Sequence, residues 1–160
     1  AEKVRYLINF GIKNQEEIPE LGTNAKMNEF EAAMGLSVLD DFEEIYRKRK
    51  EIYQLYMQQL SSSLLYQQHN KDATLNYSYF PILLQDEEQL KIIERALNKK
   101  EVYPRRYFYP SLDTLSYIQP KQFCEISRNI ASRILCLPIY ATLELEDVER
   151  ICDIINNNLC

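Results

Sequence analysis

The stretch Gly22–Leu36, with the sequence GTNAKMNEFEAAMGL, changes from a loop to a helix within a few residues. Gly22 lacks a Cβ atom and accepts a positive φ without steric cost, so we expect a sharp turn there. Asn28 and Glu31 have the spacing of a capping box, with asparagine in place of serine or threonine. The sequence therefore predicts a helix that begins near Asn28.

The predicted helix carries a continuous apolar stripe at four-residue steps, which is typical of a packed helix face. The stripe consists of Phe30, Met34, Val38 and Phe42. Small residues beside it would let another backbone approach closely, namely Ala32, Ala33 and Gly35. The helical pattern continues to about Leu60, and the acidic residues at 40–44 give a second cap-like signal. We therefore expect two helices, or one kinked helix, in this part of the chain.

Asn24 lies just before the first of these helices and carries a short amide. An asparagine in this position can contact an anion, and it can equally complete a tight turn. The local chemistry favours the turn, and both interpretations stay open at this point.

Composition limits the classes of function. A chain of 160 residues is long enough for one domain with a real core, and its formal net charge of -5 argues against a general nucleic-acid binder. No apolar run reaches the length of a transmembrane helix. The chain begins with Ala1 rather than methionine and has no signal-peptide pattern, so we expect a processed product or an excised piece.

The four cysteines form no C-x-x-C pair, and His69 is the only histidine, so we expect no metal site. We interpret them as reduced thiols in a cytoplasmic protein. They are Cys124, Cys136, Cys152 and Cys160.

The remaining pattern mixes helices and strands without strict alternation. Helices are predicted at 2–10, 85–99, 123–131 and 145–157, and strands or extended segments at 64–67, 77–84, 101–109 and 133–138. This order predicts an α+β fold, with a small sheet, helices on one of its faces and an N-terminal helical arm.

The segment Tyr103–Pro110 places two arginines beside three tyrosines on a chain stiffened by prolines. Arginine suits bidentate binding of a phosphate or carboxylate, and tyrosine offers a flat face and a hydroxyl. An anion that carries a ring, such as a nucleotide sugar, would fit this set. The alternative is an edge strand whose aromatic rings pack inward while its arginines pair with surface acids.

Recognisable catalytic sets are missing from the sequence. The three glycines are too far apart for a phosphate loop, and a single histidine supports no convincing Ser-His-Asp or Cys-His set. The paired carboxylates lie in helical surface patterns and are better interpreted as caps. Judged by its residues alone, the chain is not a complete enzyme.

Several segments, taken in order, resemble the DegT/StrS family of sugar aminotransferases. They are 2–5 (EKVR), 9–12 (NFGI), 22–27 (GTNAKM), 31–36 (EAAMGL), 105–112 (RRYFYPSL), 132–140 (SRILCLPIY) and 146–148 (EDV). The resemblance covers almost the whole chain, and the ordered set is more specific than any one segment.

The resemblance implies the C-terminal part of a pyridoxal-phosphate-dependent transferase of fold type I, whose parent is an α/β protein. The lysine that binds the cofactor covalently would lie upstream, so no catalytic residue is expected in this chain. Residues 1–60 would form a helical segment at the large-domain edge and dimer interface. Residues 61–160 would form the small α+β C-terminal domain.

The resemblance also implies roles for individual residues. Asn24 would reach across the dimer to the cofactor phosphate, which reverses the local preference for a turn. The residues expected near the sugar-nucleotide site are Lys26, Arg105, Arg106, Tyr107 and Tyr109. The family more often has an aromatic residue and arginine where this chain has Ala25 and Lys26, and many members have histidine at the position of Asp113. These departures leave the identity of the substrate open.

The expected parent is a cytoplasmic homodimer that transfers an amino group from glutamate to a nucleotide-linked keto sugar, for surface polysaccharide synthesis. The isolated chain would be inactive and would self-associate through its apolar helix. One alternative is a dehydratase of the same family, in which histidine replaces the lysine. The other is a stand-alone domain that dimerises or binds nucleotide sugars without chemistry.

Overall fold

The computed structural model describes residues 1–120 and 122–159, so Cys160 lies outside the described residues. The chain forms two compact units, Ala1–Phe42 and Glu43–Cys160. The predicted boundary near residue 60 refers to the domains of a longer protein and stays a prediction.

The first unit contains two helices, α1 (Glu2–Leu7) and α2 (Glu29–Asp40). Helix α1 ends three residues before the predicted end, because the chain turns away after Ile8, and Phe10 and Gly11 both adopt positive φ values of 57° and 78°. An isolated antiparallel bridge then joins Asn9 to Asn24.

Two glycines close the loop between α1 and α2, in a way that differs from the prediction. The positive φ belongs to Gly11, so the sharp turn predicted at Gly22 is wrong. A Cβ atom at Gly22 would lie 2.1 Å from the backbone nitrogen of Gly11. Gly22 is therefore required by close backbone approach, a tertiary constraint that local sequence does not reveal.

The predicted capping box of α2 is confirmed. The Asn28 side chain accepts the N–H of Glu31 at 2.9 Å, and the Glu31 carboxylate accepts the N–H of Asn28 at 3.0 Å. Helix α2 ends at Asp40 and α3 (Phe42–Gln59) begins two residues later, so the expectation of two helices is also confirmed. Helix α2 has no buried residue within the described part of the chain.

The second unit begins within α3 and contains three strands and four helices among its described residues. After α3 come β1 (Leu65–Tyr66), β2 (Phe80–Leu83), α4 (Glu87–Asn98), a 3-10 turn (Leu112–Thr114), α5 (Glu125–Arg133), β3 (Ile134–Leu137) and α6 (Leu145–Asn156). The strands form an antiparallel sheet in the order β1-β2-β3. Most of the predicted elements are present, although β1 and β2 are shorter than expected. The strand predicted at 101–109 is not formed, because only Arg105 pairs with the sheet, in an isolated bridge to Cys136, before the chain turns at Tyr107 and Phe108.

The core lies on one face of this sheet. Alternate residues of β2 and β3 are almost fully buried, namely Phe80, Ile82, Leu135 and Leu137. They share a single apolar cluster with residues of α3, α4 and α6. Since neighbouring residues of a strand point to opposite faces, Pro81, Leu83, Ile134 and Cys136 lie on the other face. The α+β fold with helices packed on one face of a small sheet is thus confirmed.

Within the described part of the chain, no helix combines the length and the apolar character needed to cross a bilayer.

Candidate functional site

Asn24 lies in an extended segment of the first unit. Its neighbours pair with the end of α1, because Phe10 N–H donates to the carbonyl of Thr23 at 3.1 Å and Ala25 N–H donates to that of Ile8 at 3.0 Å. The turn favoured by local chemistry is therefore wrong. The Asn24 side chain is exposed, and within the described residues it has no hydrogen-bond partner. A fixed backbone thus presents an amide that is available to a ligand.

Lys26 makes contacts within the same unit. Its Nζ donates to Asn9 Oδ1 at 2.8 Å and lies 4.8 Å from the centre of the Phe10 ring. The backbone bridge between Asn9 and Asn24 brings these groups together. A ligand at Asn24 would therefore meet a positive charge that the chain already holds in place.

An apolar cleft of about 420 Å³ lies on the face of the sheet opposite the core. Its floor consists of the outward residues of β2 and β3, including Pro81 and Cys136. One side of the cleft is aromatic and is formed by Tyr79, Tyr107 and Phe108. The centre of the Tyr107 ring lies 5.6 Å from that of Tyr79 and 5.0 Å from that of Phe108. The cleft therefore offers flat apolar surfaces to a ring-bearing ligand.

Arg105 lies at the edge of this sheet. Its N–H and carbonyl form a bridge with Cys136, at 3.0 and 2.7 Å. Because directly paired residues project to the same face, Arg105 shares the face of the cleft. Its guanidinium is exposed, 5.9 Å from the Tyr107 ring, and no carboxylate of the described residues forms an ion pair with it. The structure thus brings Arg105 near Tyr107 on the face of the cleft, beside the residues that line it.

Arg106 has a different environment, with only 16% of its side chain exposed. Its Nη2 donates to Glu87 Oε1 at 3.1 Å and to the carbonyl of Ser132 at 3.0 Å. The Tyr109 ring stacks on its guanidinium, 3.6 Å from ring centre to Cζ. Hydrogen bonds from Lys91 and then from Arg106 lower the pKa of Glu87. Arg106 and Tyr109 are therefore paired with each other, outside the lining of the cleft.

Asp113 is the main residue whose contacts the sequence does not predict. Its side chain is 7% exposed and accepts three hydrogen bonds, from Ser111 Oγ at 2.5 Å, Cys124 N–H at 3.0 Å and Arg128 Nε at 2.7 Å. It lines a second cavity of about 370 Å³, which shares Tyr107 and other residues with the cleft. The partners lie up to 15 residues away, and nothing in their spacing identifies them.

These bonds make the Asp113 contribution to stability dependent on pH. The hydrogen bond from Ser111, then those from Cys124 and Arg128, lower the pKa of Asp113 to about 2. A carboxylate with a lowered folded-state pKa stabilises the protein above its unfolded pKa, and this contribution disappears as pH falls through the folded value. We expect the free energy of unfolding to fall between about pH 4 and pH 2 more steeply in the wild type than in Asp113→Asn. Urea unfolding at each pH measures this free energy. The same pH dependence in the wild type and in Asp113→Asn would contradict the lowered pKa of Asp113.

Three cysteines lie as free thiols in the described chain. Cys136 and Cys152 are buried, and burial raises the pKa of both thiols, that of Cys152 to about 12. A thiol with a raised pKa is a poor nucleophile at neutral pH. Over the described ranges, no group of three histidine, cysteine, aspartate or glutamate side chains could hold a metal ion.

Comparisons with known proteins agree with this architecture. The chain is 35% identical over 159 residues to the dTDP-4-amino-4,6-dideoxy-D-glucose transaminase of Shigella dysenteriae, a match that covers 94% of this chain and 43% of the relative. The structure superposes on DesI, crystallised in the presence of its TDP-sugar product, with a TM-score of 0.81 and 30% identity over 96% of this chain and 41% of DesI.

The aminotransferase TlmJ of Streptoalloteichus hindustanus shares the fold, with a TM-score of 0.84 and 24% identity over 99% of this chain and 44% of TlmJ. The chain thus spans less than half the length of the proteins it matches. The DegT/DnrJ/EryC1/StrS aminotransferase family model matches residues 1–156, which confirms the resemblance identified from the ordered motifs. The chain belongs to the DegT/DnrJ/EryC1/StrS aminotransferase family.

Proposed function

We propose that this chain is the C-terminal part of a pyridoxal-phosphate-dependent aminotransferase. The whole protein would transfer an amino group from glutamate to a nucleotide-linked keto sugar, in the cytoplasm, for surface polysaccharide synthesis. The observation that carries the proposal is the family match over residues 1–156, with the name of the 35% identical relative indicating the substrate class.

The proposed assembly is a homodimer in which residues 1–60 belong to the dimer interface and the edge of the large domain. Helix α2 supports this proposal, because its apolar residues are exposed on several sides, including Phe30, Met34, Leu36 and Leu39. A helix that is apolar around most of its surface is normally buried in a larger assembly. Residues 61–160 would form the small C-terminal domain.

The available amide of Asn24 fits a contact with the cofactor phosphate. Its Nδ2 can donate a hydrogen bond to a phosphate oxygen, and Lys26, which lies two residues along the chain, adds positive charge to the same segment. Bound pyridoxal phosphate would supply an electron sink for exchange of the amino group. This chain would contribute one anchoring contact, and the covalent lysine would come from the preceding part of the protein.

The cleft and Arg105 fit the nucleotide-linked sugar. The exposed guanidinium can bind a diphosphate oxygen pair, while the rings of Tyr79, Tyr107 and Phe108 offer surfaces for a base or a sugar face. The direct substrate contacts proposed for Lys26, Arg106 and Tyr109 stay predictions, since each of them already has a partner within the chain.

The first experiment uses the protein expressed from its whole gene. With pyridoxal phosphate, glutamate and a dTDP-linked 4-keto sugar, we expect an amino sugar nucleotide, detected by mass spectrometry, and no product from the 160-residue chain alone. A deoxygenated product instead would indicate the dehydratase, and binding without any product would indicate the stand-alone domain. Turnover by the 160-residue chain would contradict the proposal.

A matched pair of variants tests the cleft in that protein. We expect Arg105→Gln to raise KM for the nucleotide sugar about tenfold to a hundredfold, because a charged hydrogen bond contributes about 1.5–3 kcal/mol. The control is Arg95→Gln, an exposed arginine of α4 whose Nε donates to the Lys91 carbonyl on its own helix. Equal KM values for the two variants would place the nucleotide elsewhere.

A further inference from the structure

The aromatic segment Tyr107–Pro110 is attached to α5 on both sides. On its N-terminal side, Arg106 donates to the Ser132 carbonyl near the C-terminal end of α5, at 3.0 Å. On its C-terminal side, Asp113 accepts from the N–H of Cys124, the N-cap of α5, and from Arg128 in the same helix. The residues that flank the segment are therefore anchored to the two ends of one helix, and the second cavity lies between the segment and α5.

Each attachment matches the charge of the helix end that it contacts. A helix presents unpaired N–H groups and positive partial charge at its N-terminus, and unpaired carbonyls with negative partial charge at its C-terminus. The carboxylate of Asp113 lies at the first end and the guanidinium of Arg106 lies at the second. Both contacts therefore gain from the helix dipole as well as from their direct partners.

Ser111 links Asp113 to the end of the aromatic segment. It follows Pro110 directly, is 8% exposed and donates its hydroxyl to Asp113. Its carbonyl accepts both the N–H and the hydroxyl of Thr114, at 2.9 and 2.6 Å. The residue after the aromatic segment is thus fixed in a buried network, while Phe108 within the segment is 72% exposed.

We propose that Arg106 and Asp113 are positioning residues that anchor the two ends of Tyr107–Pro110 to α5, so that the aromatic side of the cleft is formed before a ligand binds. The identity of that ligand rests on the proposed function, whereas the positioning itself does not. In this proposal neither residue contacts the ligand, so for Arg106 it replaces the direct substrate contact that the resemblance implies. Both act through Tyr107 and Phe108, which lie between the two cavities and line both of them.

Hydrogen exchange on the ligand-free protein expressed from its whole gene tests the positioning. In Asp113→Asn and in Arg106→Gln, we expect amide exchange in peptides covering 107–124 to become at least about tenfold faster, with β2 and β3 unchanged. The matched control is Asp147→Asn, which weakens an exposed aspartate–arginine pair on α6. It should leave the exchange of 107–124 unchanged.

A milder variant controls for the possibility that Asp113→Asn or Arg106→Gln fails to fold. Arg128→Gln removes one partner of Asp113 and keeps those from Ser111 and Cys124, and Arg128 itself is 40% exposed. We expect the same selective increase in exchange, smaller than in Asp113→Asn. Exchange in 107–124 that matches the wild type in all three variants would overturn the proposal, as would an increase spread evenly over the sheet.

Affinity for dTDP, measured by calorimetry, completes the test. Loss of a preformed cleft should weaken dTDP binding about three- to tenfold in Asp113→Asn and leave it unchanged in Asp147→Asn. Unchanged affinity in a variant with faster exchange would overturn the link between positioning and the cleft. Failure of the wild type to bind dTDP would count against the proposed function alone, because exchange reports on the positioning without ligand.

Discussion

The double substitution Phe30→Asp/Met34→Asp is expected to abolish the self-association proposed for α2 and to leave a monomer. Both side chains lie on one face of α2 and are 89% and 68% exposed in the single chain. Exposed apolar surface of this extent on one helix is typical of an interface. In a two-fold dimer each residue is used twice, so four side chains would leave the interface.

The expected effect is large. Burial of an apolar side chain of this size contributes about 1.5–3 kcal/mol, so four of them amount to at least about 6 kcal/mol. Since about 1.4 kcal/mol corresponds to a tenfold change, the dissociation constant should rise more than about a thousandfold. Sedimentation equilibrium over a wide range of concentrations measures this constant directly.

A control substitution separates the α2 interface from a general effect of added charge. Ile126→Asp introduces one aspartate, half the charge of the double variant, at another exposed apolar side chain, on α5, where the residue is 80% exposed. Its dissociation constant should match that of the wild type. A wild type that stays monomeric at high concentration, or a double variant that still dimerises, would contradict the proposed role of α2.

Local features of this chain could be predicted from its sequence, because their causes lie within a few residues. The capping box of Asn28 and Glu31 and the cap of α4 by Asp86, which accepts the N–H of Gln89 at 2.8 Å, need only short spacing rules. The prediction at Gly22 failed because the backbone that approaches it comes from Gly11, eleven residues earlier. Close approach of distant segments leaves no local signal.

The sequence predicted which segment contributes to the candidate site. It did not predict that one arginine of this segment faces the cleft while the other contacts α5. Adjacent arginines in an extended segment point to opposite sides, which places Arg105 with the cleft and Arg106 with α5. This alternation could have been applied to the sequence once the segment was predicted as extended. The network of Asp113 with Ser111 and Arg128 could not be predicted from the sequence, because it depends on how the chain after Pro110 returns to α5.

Replacement of Phe80 with alanine is expected to cost about 3–5 kcal/mol of unfolding free energy, the usual range for a buried phenylalanine. Phe80 is 1% exposed and contacts the buried Tyr56 and the half-buried Tyr53 and Tyr66, with ring centres 4.7, 4.8 and 6.1 Å away. A loss of this size is a large part of the roughly 5–15 kcal/mol that stabilises a typical domain. Urea unfolding followed by circular dichroism measures it.

The neighbouring residue provides the control and connects this prediction to the site. Tyr79 is 58% exposed and lies at the cleft, so Tyr79→Ala should cost less than about 1 kcal/mol. Since a shift of one residue in a strand exchanges its two faces, the pair of measurements tests which face of β2 is the core. If the larger loss came from Tyr79→Ala, the face assigned to the cleft would be the buried one. Arg105 would then lie against the core, and the proposed nucleotide site would be excluded together with the register of β2.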